Sequence, residues 1–223
     1  MIAALYVEHG GVYYSLPDVD PWGKARDARV YAGPWPVVAH PPCERWGRYW
    51  YGGPSSKVRR TKGDDGGCFA AALAAVRRWG GALEHPEASA AWDAFGLNRP
   101  PRNGGWVTAD FDGGWTCCVE QGHYGHRARK ATWLYVHGTD LPALRWGSSG
   151  TRERLEDGYH SAEERRRAVK TGVCQRLSKR QRAATPEPFR DLLLAMARSV
   201  PQPLSPPSPG CTSQPACAGS CAR

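Results

Sequence analysis

The chain has 223 residues, 41% hydrophobic and 23% charged, which fits one well-cored domain with an appendage and excludes a disordered polyelectrolyte. No apolar run approaches the ~20 residues of a spanning helix, so no membrane association is expected, and MIAALYVEHGGVYYSL lacks the basic start of a signal peptide. Thirty Lys and Arg against 21 Asp and Glu leave a net charge of +9, and ten Trp accompany them, a mixture that favours a polyanionic partner, nucleic acid first.

In chain order, residues 3–7 (AALYV) and 36–39 (PVVA) read as short buried strands ended by turn signals, and Asp27–Tyr31 as a third, shorter one. After Asp64-Asp65-Gly66-Gly67, the stretch CFAAALAAVRRWG carries Phe69, Leu73 and Val76 at helical spacing and stops at Gly80-Gly81. GALEHP (81–86) follows as strand plus turn, and ASAAWDAFG (88–96) as a short helix. Residues 97–114 are rich in Gly, Pro, Asn and Arg and predict a loop or a weak hairpin. WTCCVEQ and ATWLYVHG alternate as strands around the polar GHYGHRARK. Strands alternating with helices predict an α/β sheet over residues 1–150.

Composition shifts after Gly150. Residues 151–200 predict a basic helical extension, with Arg165, Arg166, Arg167, Arg176, Lys179, Arg180 and Arg182 interleaved with glutamates. Its last helix is expected to start with Thr185 as cap and Pro186 in the first position, then to bury Phe189, Leu192, Leu193 and Met196. The Pro- and Ser-rich residues 201–223 cannot bury a core and are expected to be disordered. The eight Cys include no CxxC pair, so no metal is expected, and reduced thiols of a cytoplasm fit them better than disulfides.

Three segments carry chemistry. In VVAHPPCERWGRYW a buried strand runs into His40-Pro41-Pro42, which fixes φ twice and holds Cys43 at the carboxyl edge of the sheet, where ligands of open α/β sheets bind. Cys43 is the soft nucleophile there, with Arg45 and Arg48 near enough in sequence to favour its thiolate; a structural Cys after a turn is the alternative. Glu84, in Leu83-Glu84-His85-Pro86, sits at a second strand end, where its carboxylate can pair with a base edge or merely precede a helix. The third segment, Gln121 to Lys130, sets an amide, imidazoles and three cations in one loop, a phosphate or base contact or else a solvated tip.

In this order, strand-P-P-C, strand-E-x-P and Q-x-x-Y-G-H-x-x-x-K-x-T-x-L resemble the DNA cytosine-5 methyltransferases. Short phage-borne members, with A-H-P-P-C, E-N-P and Q-x-x-F-G-H-x-x-x-K-x-T-x-L-W, are the most similar. The matching stretches are Ala39–Cys43, Glu84–Pro86 and Gln121–Leu134, and the likeness runs from residue 36 to about 197. It implies a reduced Rossmann-like methyltransferase sheet with a basic helical C-terminal region.

It also implies that Cys43 adds to C6 of a flipped cytosine while Glu84 holds N3 and the 4-amino group, so that C5 takes a methyl group from S-adenosylmethionine. Pro41 and Pro42 would position the nucleophile. Gln121, His126, Arg127, Arg129 and Lys130 would face base and DNA, with the Arg165–Arg182 stretch as a further DNA contact. For the cofactor, Gly10 and Gly11 stand where the family has its Gly-rich loop. Asp20, or else Asp18 or Asp27, stands in for the ribose acid, and the Thr185 helix closes the pocket. The partner is DNA, with no obligate protein partner, and the setting is a host-cell cytoplasm if the chain is phage-encoded. A non-catalytic DNA-binding relative, or a pyrimidine-modifying enzyme with another donor, is the alternative.

Overall fold

In the computed structural model, Ile2–Leu5 (β1) is buried at every position, as a strand covered on both faces must be. The structure describes residues 1–47, 49–52, 57–151, 162–171 and 177–201. The expected disordered tail after Pro201 lies outside them, as do residues 172–176 of the Arg165–Arg182 stretch.

The remaining strands are β2 (Val19–Trp22), β3 (Val37–Ala39), β4 (Gly81–Pro86), β5 (Val107–Thr108), β6 (Trp115–Glu120) and β7 (Ala131–His137). They form a seven-stranded sheet in the order β2-β1-β3-β4-β7-β6-β5, a mixed α/β architecture. The β2-β1-β3-β4 half is parallel and the β4-β7-β6-β5 half antiparallel. The chain leaves β1 for β2 on one side and comes back to β3 on the other. The order therefore reverses beside β1, and a crevice is expected at the carboxyl ends of β1 and β3.

Strand alternation sorts the core into two layers. Ala3, Leu5, Val37, Ala39 and Leu83 face the helices α1 (Cys68–Trp79) and α2 (Ala90–Ala94). Ile2, Ala4, Val38 and Ala82 face Phe189, Leu193, Leu194, Met196 and Ala197 of the amphipathic α5 (Glu187–Arg198). Phe189, Leu193, Leu194 and Met196 each contribute about 1.5–3 kcal/mol when taken from water, so α5 is a layer of the core. It is also tied to the start of the chain, with Arg190 donating to the Val12 carbonyl at 2.8 Å and Arg198 to Asp18 at 2.8 Å. Two further helices, α3 (Ala162–Thr171) and α4 (Lys179–Ala183), lie in the basic stretch.

Two sequence expectations are corrected. The strand expected at Asp27–Tyr31 is a 3-10 turn over Ala28–Val30, because the Asp27 carboxylate accepts from the Arg29 backbone N–H and curls the chain. The strand lies instead at Val19–Trp22, where Pro21 is tolerated on the sheet's edge. Thr185 does not cap α5, since Pro186 takes the cap position without a side-chain hydrogen bond.

Gly81 opens β4 with φ of 120°, and a Cβ there would lie 1.9 Å from the Val37 carbonyl oxygen. Gly81→Ala should therefore cost about 3 kcal/mol or more of unfolding free energy in urea. Gly96→Ala, at φ 66° with open space around it, should cost only about 1–2 kcal/mol. Equal losses would show that the β3–β4 approach does not depend on Gly81.

Candidate active site

The register of β3 and β4 pairs Ala39 with Leu83, which sets His40 and Glu84 level, one residue further on. Both continue the face of Val38 and Ala82, the α5 side of the sheet. The His40 Nδ1–H donates to Glu84 Oε2 at 3.0 Å, and the Tyr13 hydroxyl meets His40 Nε2 at 2.9 Å. On the other side of the carboxylate, Gln121 Nε2 donates to Glu84 Oε1 at 3.1 Å and to Thr132 Oγ1 at 2.9 Å. A chain Tyr13–His40–Glu84–Gln121–Thr132 thus crosses the carboxyl ends of three strands. Gln121 Oε1 is buried without a partner, an acceptor beside Glu84 still to be filled.

Only 12% of the Glu84 side chain is exposed. Burial by itself would raise the pKa, but the His40 hydrogen bond and then the Lys130 charge outweigh it and hold the carboxyl at about 2. Glu84 is therefore an anion at neutral pH. The Cys43 thiol is pushed up from its ordinary value, first by burial and then by the Glu84 charge, with Lys130 opposing. This corrects the expectation that neighbouring arginines favour the thiolate. Lys130 is the cation that acts on both Cys43 and Glu84, and Arg48 lies outside the described residues.

The turn bearing Cys43 is fastened from below. Pro41 is buried and Pro42 exposed. The Cys43 carbonyl accepts from Trp46 and Gly47, and Trp46 Nε1 donates to Asp65, which also caps the start of α1 through Phe69 N. His85 points to the opposite, α1 side, fully buried between Phe69 and Trp92, with Nδ1 2.7 Å from Ser89 Oγ. Burial lowers its pKa to about 4, so it stays neutral. It stiffens the strand end and does not enter the pocket.

The remaining candidates divide. Gln121 and Lys130 join the Glu84 cluster. His126 is buried and its Nδ1 accepts from Ala128 N, so it shapes the loop. Arg127 and Arg129 are exposed. Arg129 lines a separate groove of about 230 Å³ with Arg102, Asn103, Cys118 and Glu120, on the Cys118 side of the sheet. Its groove lies on the face opposite Glu84, and as an exposed cation it stays a candidate contact for DNA.

At the cofactor end, Gly10 is exposed with φ 66°, and Gly11 abuts the Glu8 carbonyl. Tyr13, 3% exposed, fills the crevice between the ends of β1 and β3. Each candidate acid is engaged: Asp18 by Arg198, Asp20 by Arg26 and Trp22, Asp27 by Arg29. Thr185 is half-buried at the foot of α5. As folded, these residues do not fit S-adenosylmethionine, because each of the three candidate carboxylates is already paired with an arginine and the Tyr13 ring occupies the crevice. Among the described residues no cluster of three or more His, Cys, Asp or Glu is placed to hold a metal, and no helix is long and apolar enough to cross a membrane.

Sequence reasoning passed over His40 and Tyr13. His40 had a usable signal, since it stands two residues after the buried Val38 and so shares its face. Tyr13, in a loop, had none. Comparison of the chain with protein-family models, curated proteins and solved structures gives no match.

Proposed function

We propose that this protein acts on cytosine in DNA, with Cys43 adding to C6 of an extruded base and Glu84 gripping N3 and the 4-amino group. The observation that carries this reading is the meeting of a thiol and an ionised carboxylate at the ends of adjacent parallel strands β3 and β4, close enough for one to shift the other's pKa. The parallel half of the sheet, with its reversal beside β1, supports reading it as a reduced Rossmann-like sheet. Methyl transfer from S-adenosylmethionine is the reaction that the sequence resemblance implies. It requires the Tyr13 loop to open and Arg26 to release Asp20.

A second reading, a cytosine-binding relative without a donor site, is favoured by that closed crevice. DNA carrying 5-azacytosine separates the two, because the ring nitrogen at position 5 activates C6 and no methyl donor is needed. The enzyme reading expects a complex that survives denaturation and maps to the Cys43 peptide. DNA binding without such a complex leaves the binder.

Lys57, Arg59, Arg60 and Lys62 are all exposed on the segment that follows Cys43, with Tyr49 and Tyr51 exposed nearby. They are the contacts proposed for the phosphate backbone. DNA affinity should fall steeply with salt. Changing all four residues to Gln should flatten the log–log slope by about 0.9 for each phosphate that is no longer neutralised. An unchanged slope would move the DNA-binding surface elsewhere.

A further inference from the structure

An ionised carboxylate and the unprotonated N3 of cytosine are both hydrogen-bond acceptors, so Glu84 cannot grip a neutral cytosine without one added proton. Gln121 offers only amide hydrogens that it cannot release, and Lys130 Nζ is directed to the Ala184 carbonyl at 3.4 Å. His40 is the group in hydrogen-bond contact with the carboxylate that can lose a proton.

We infer that His40 is the proton donor to the base: its Nδ1 proton passes through Glu84 to cytosine N3 as Cys43 adds to C6, with Tyr13 holding the imidazole in place. This rests on the cytosine-addition reading above. In the step, a thiolate lone pair forms the S–C6 bond, the C5=C6 pair becomes C4=C5, and the C4=N3 pair takes the proton as N3–H. The imidazolium becomes imidazole, so charge balances, and the thiol's own proton has already gone to water.

Tyr13 suits both states of the ring, because its hydroxyl accepts from Nε2–H of the cation and donates to Nε2 of the neutral form. The groups that act on this chain are Glu84 beside His40, Cys43 on the next turn, Lys130 at the start of β7, His85 behind Glu84, and Arg190 and Asp191 of α5 behind Tyr13. The adduct makes C5 nucleophilic, so addition alone should exchange the C5 hydrogen with solvent. That readout requires no methyl donor.

The test is tritium release from genomic DNA labelled at cytosine C5, followed across pH. Wild-type exchange should be bell-shaped, because it needs the Cys43 thiolate and a proton on His40 together. His40→Gln keeps an N–H towards Glu84 but releases no proton. It should lower the maximum by about 10²-fold and abolish the alkaline limb. Tyr13→Phe, which removes only the hydroxyl, should change the shape of the bell, whereas a merely structural His40 leaves it unchanged. His40→Gln protein with the wild-type bell overturns the relay alone. Wild-type protein that exchanges no tritium overturns cytosine addition, and the relay with it.

Discussion

Cys43→Ser should abolish covalent capture of 5-azacytosine DNA while leaving DNA affinity and the unfolding midpoint nearly unchanged. A serine hydroxyl replaces the thiol almost isosterically, and Cys43 is only partly buried in a turn held by main-chain bonds and the Trp46–Asp65 contact. What disappears is the anion. A thiol whose pKa is already raised still gives some thiolate near neutrality, whereas a serine hydroxyl gives essentially none without a base poised on it. Denaturing electrophoresis of the mixed protein and DNA reads the result. Capture that persists in the serine variant would shift the nucleophile to another residue, with half-exposed Cys68 the first to examine.

Glu84→Gln should produce two opposite effects on Cys43. Removing the anion takes away a charge that raises the thiol's pKa, so alkylation of Cys43 by iodoacetamide at neutral pH should speed up. Capture of the base should fall by about 10²–10⁴-fold, since the amide can neither relay a proton nor accept through both atoms. The amide NH₂ must also face one of two donors, His40 Nδ1–H or Gln121 Nε2. Facing Gln121 leaves a buried donor unsatisfied at a cost of about 1–3 kcal/mol, whereas facing His40 is met by the Nε2–H tautomer with Tyr13 as acceptor. Peptide mapping separates Cys43 from Cys68, and the two rates moving in the same direction would show that Glu84 does not serve the base.

Much of this site was legible because strand periodicity and punctuation are local. The run Val37–Ala39 into two prolines marked a strand end, and the Gly80-Gly81 pair marked where a helix stops and a strand begins. Placing Cys43 and Glu84 at such ends followed from those signals alone. The Asp27 turn was misread because Val30 and Tyr31 have strand propensity, while one side-chain hydrogen bond to the backbone decides the conformation. Arg129 and Lys130 are adjacent in sequence and differ in what they face, which no composition of a basic loop reveals. Tyr13 reaches His40 across 27 residues of sequence, a contact set by how the loop folds back and not by any pattern within it.

The clasp between α5 and the first loop bears on when the pocket comes into being. Arg190 and Val12 are separated by 178 positions, and Arg198 and Asp18 by 180. During synthesis the strands around Cys43 and Glu84 emerge long before Phe189 to Ala197, so one face of β1, β3 and β4 waits uncovered. The loop bearing Tyr13 is held at one end only in that interval, and loop closure over so long a span makes docking of α5 a late event. A nascent or truncated chain ending before Glu187 would carry thiol and carboxylate without the layer that seals them. The pocket around Cys43 and Glu84 is therefore closed on its α5 side only once Glu187–Arg198 has been made and reaches back to the Val12 loop.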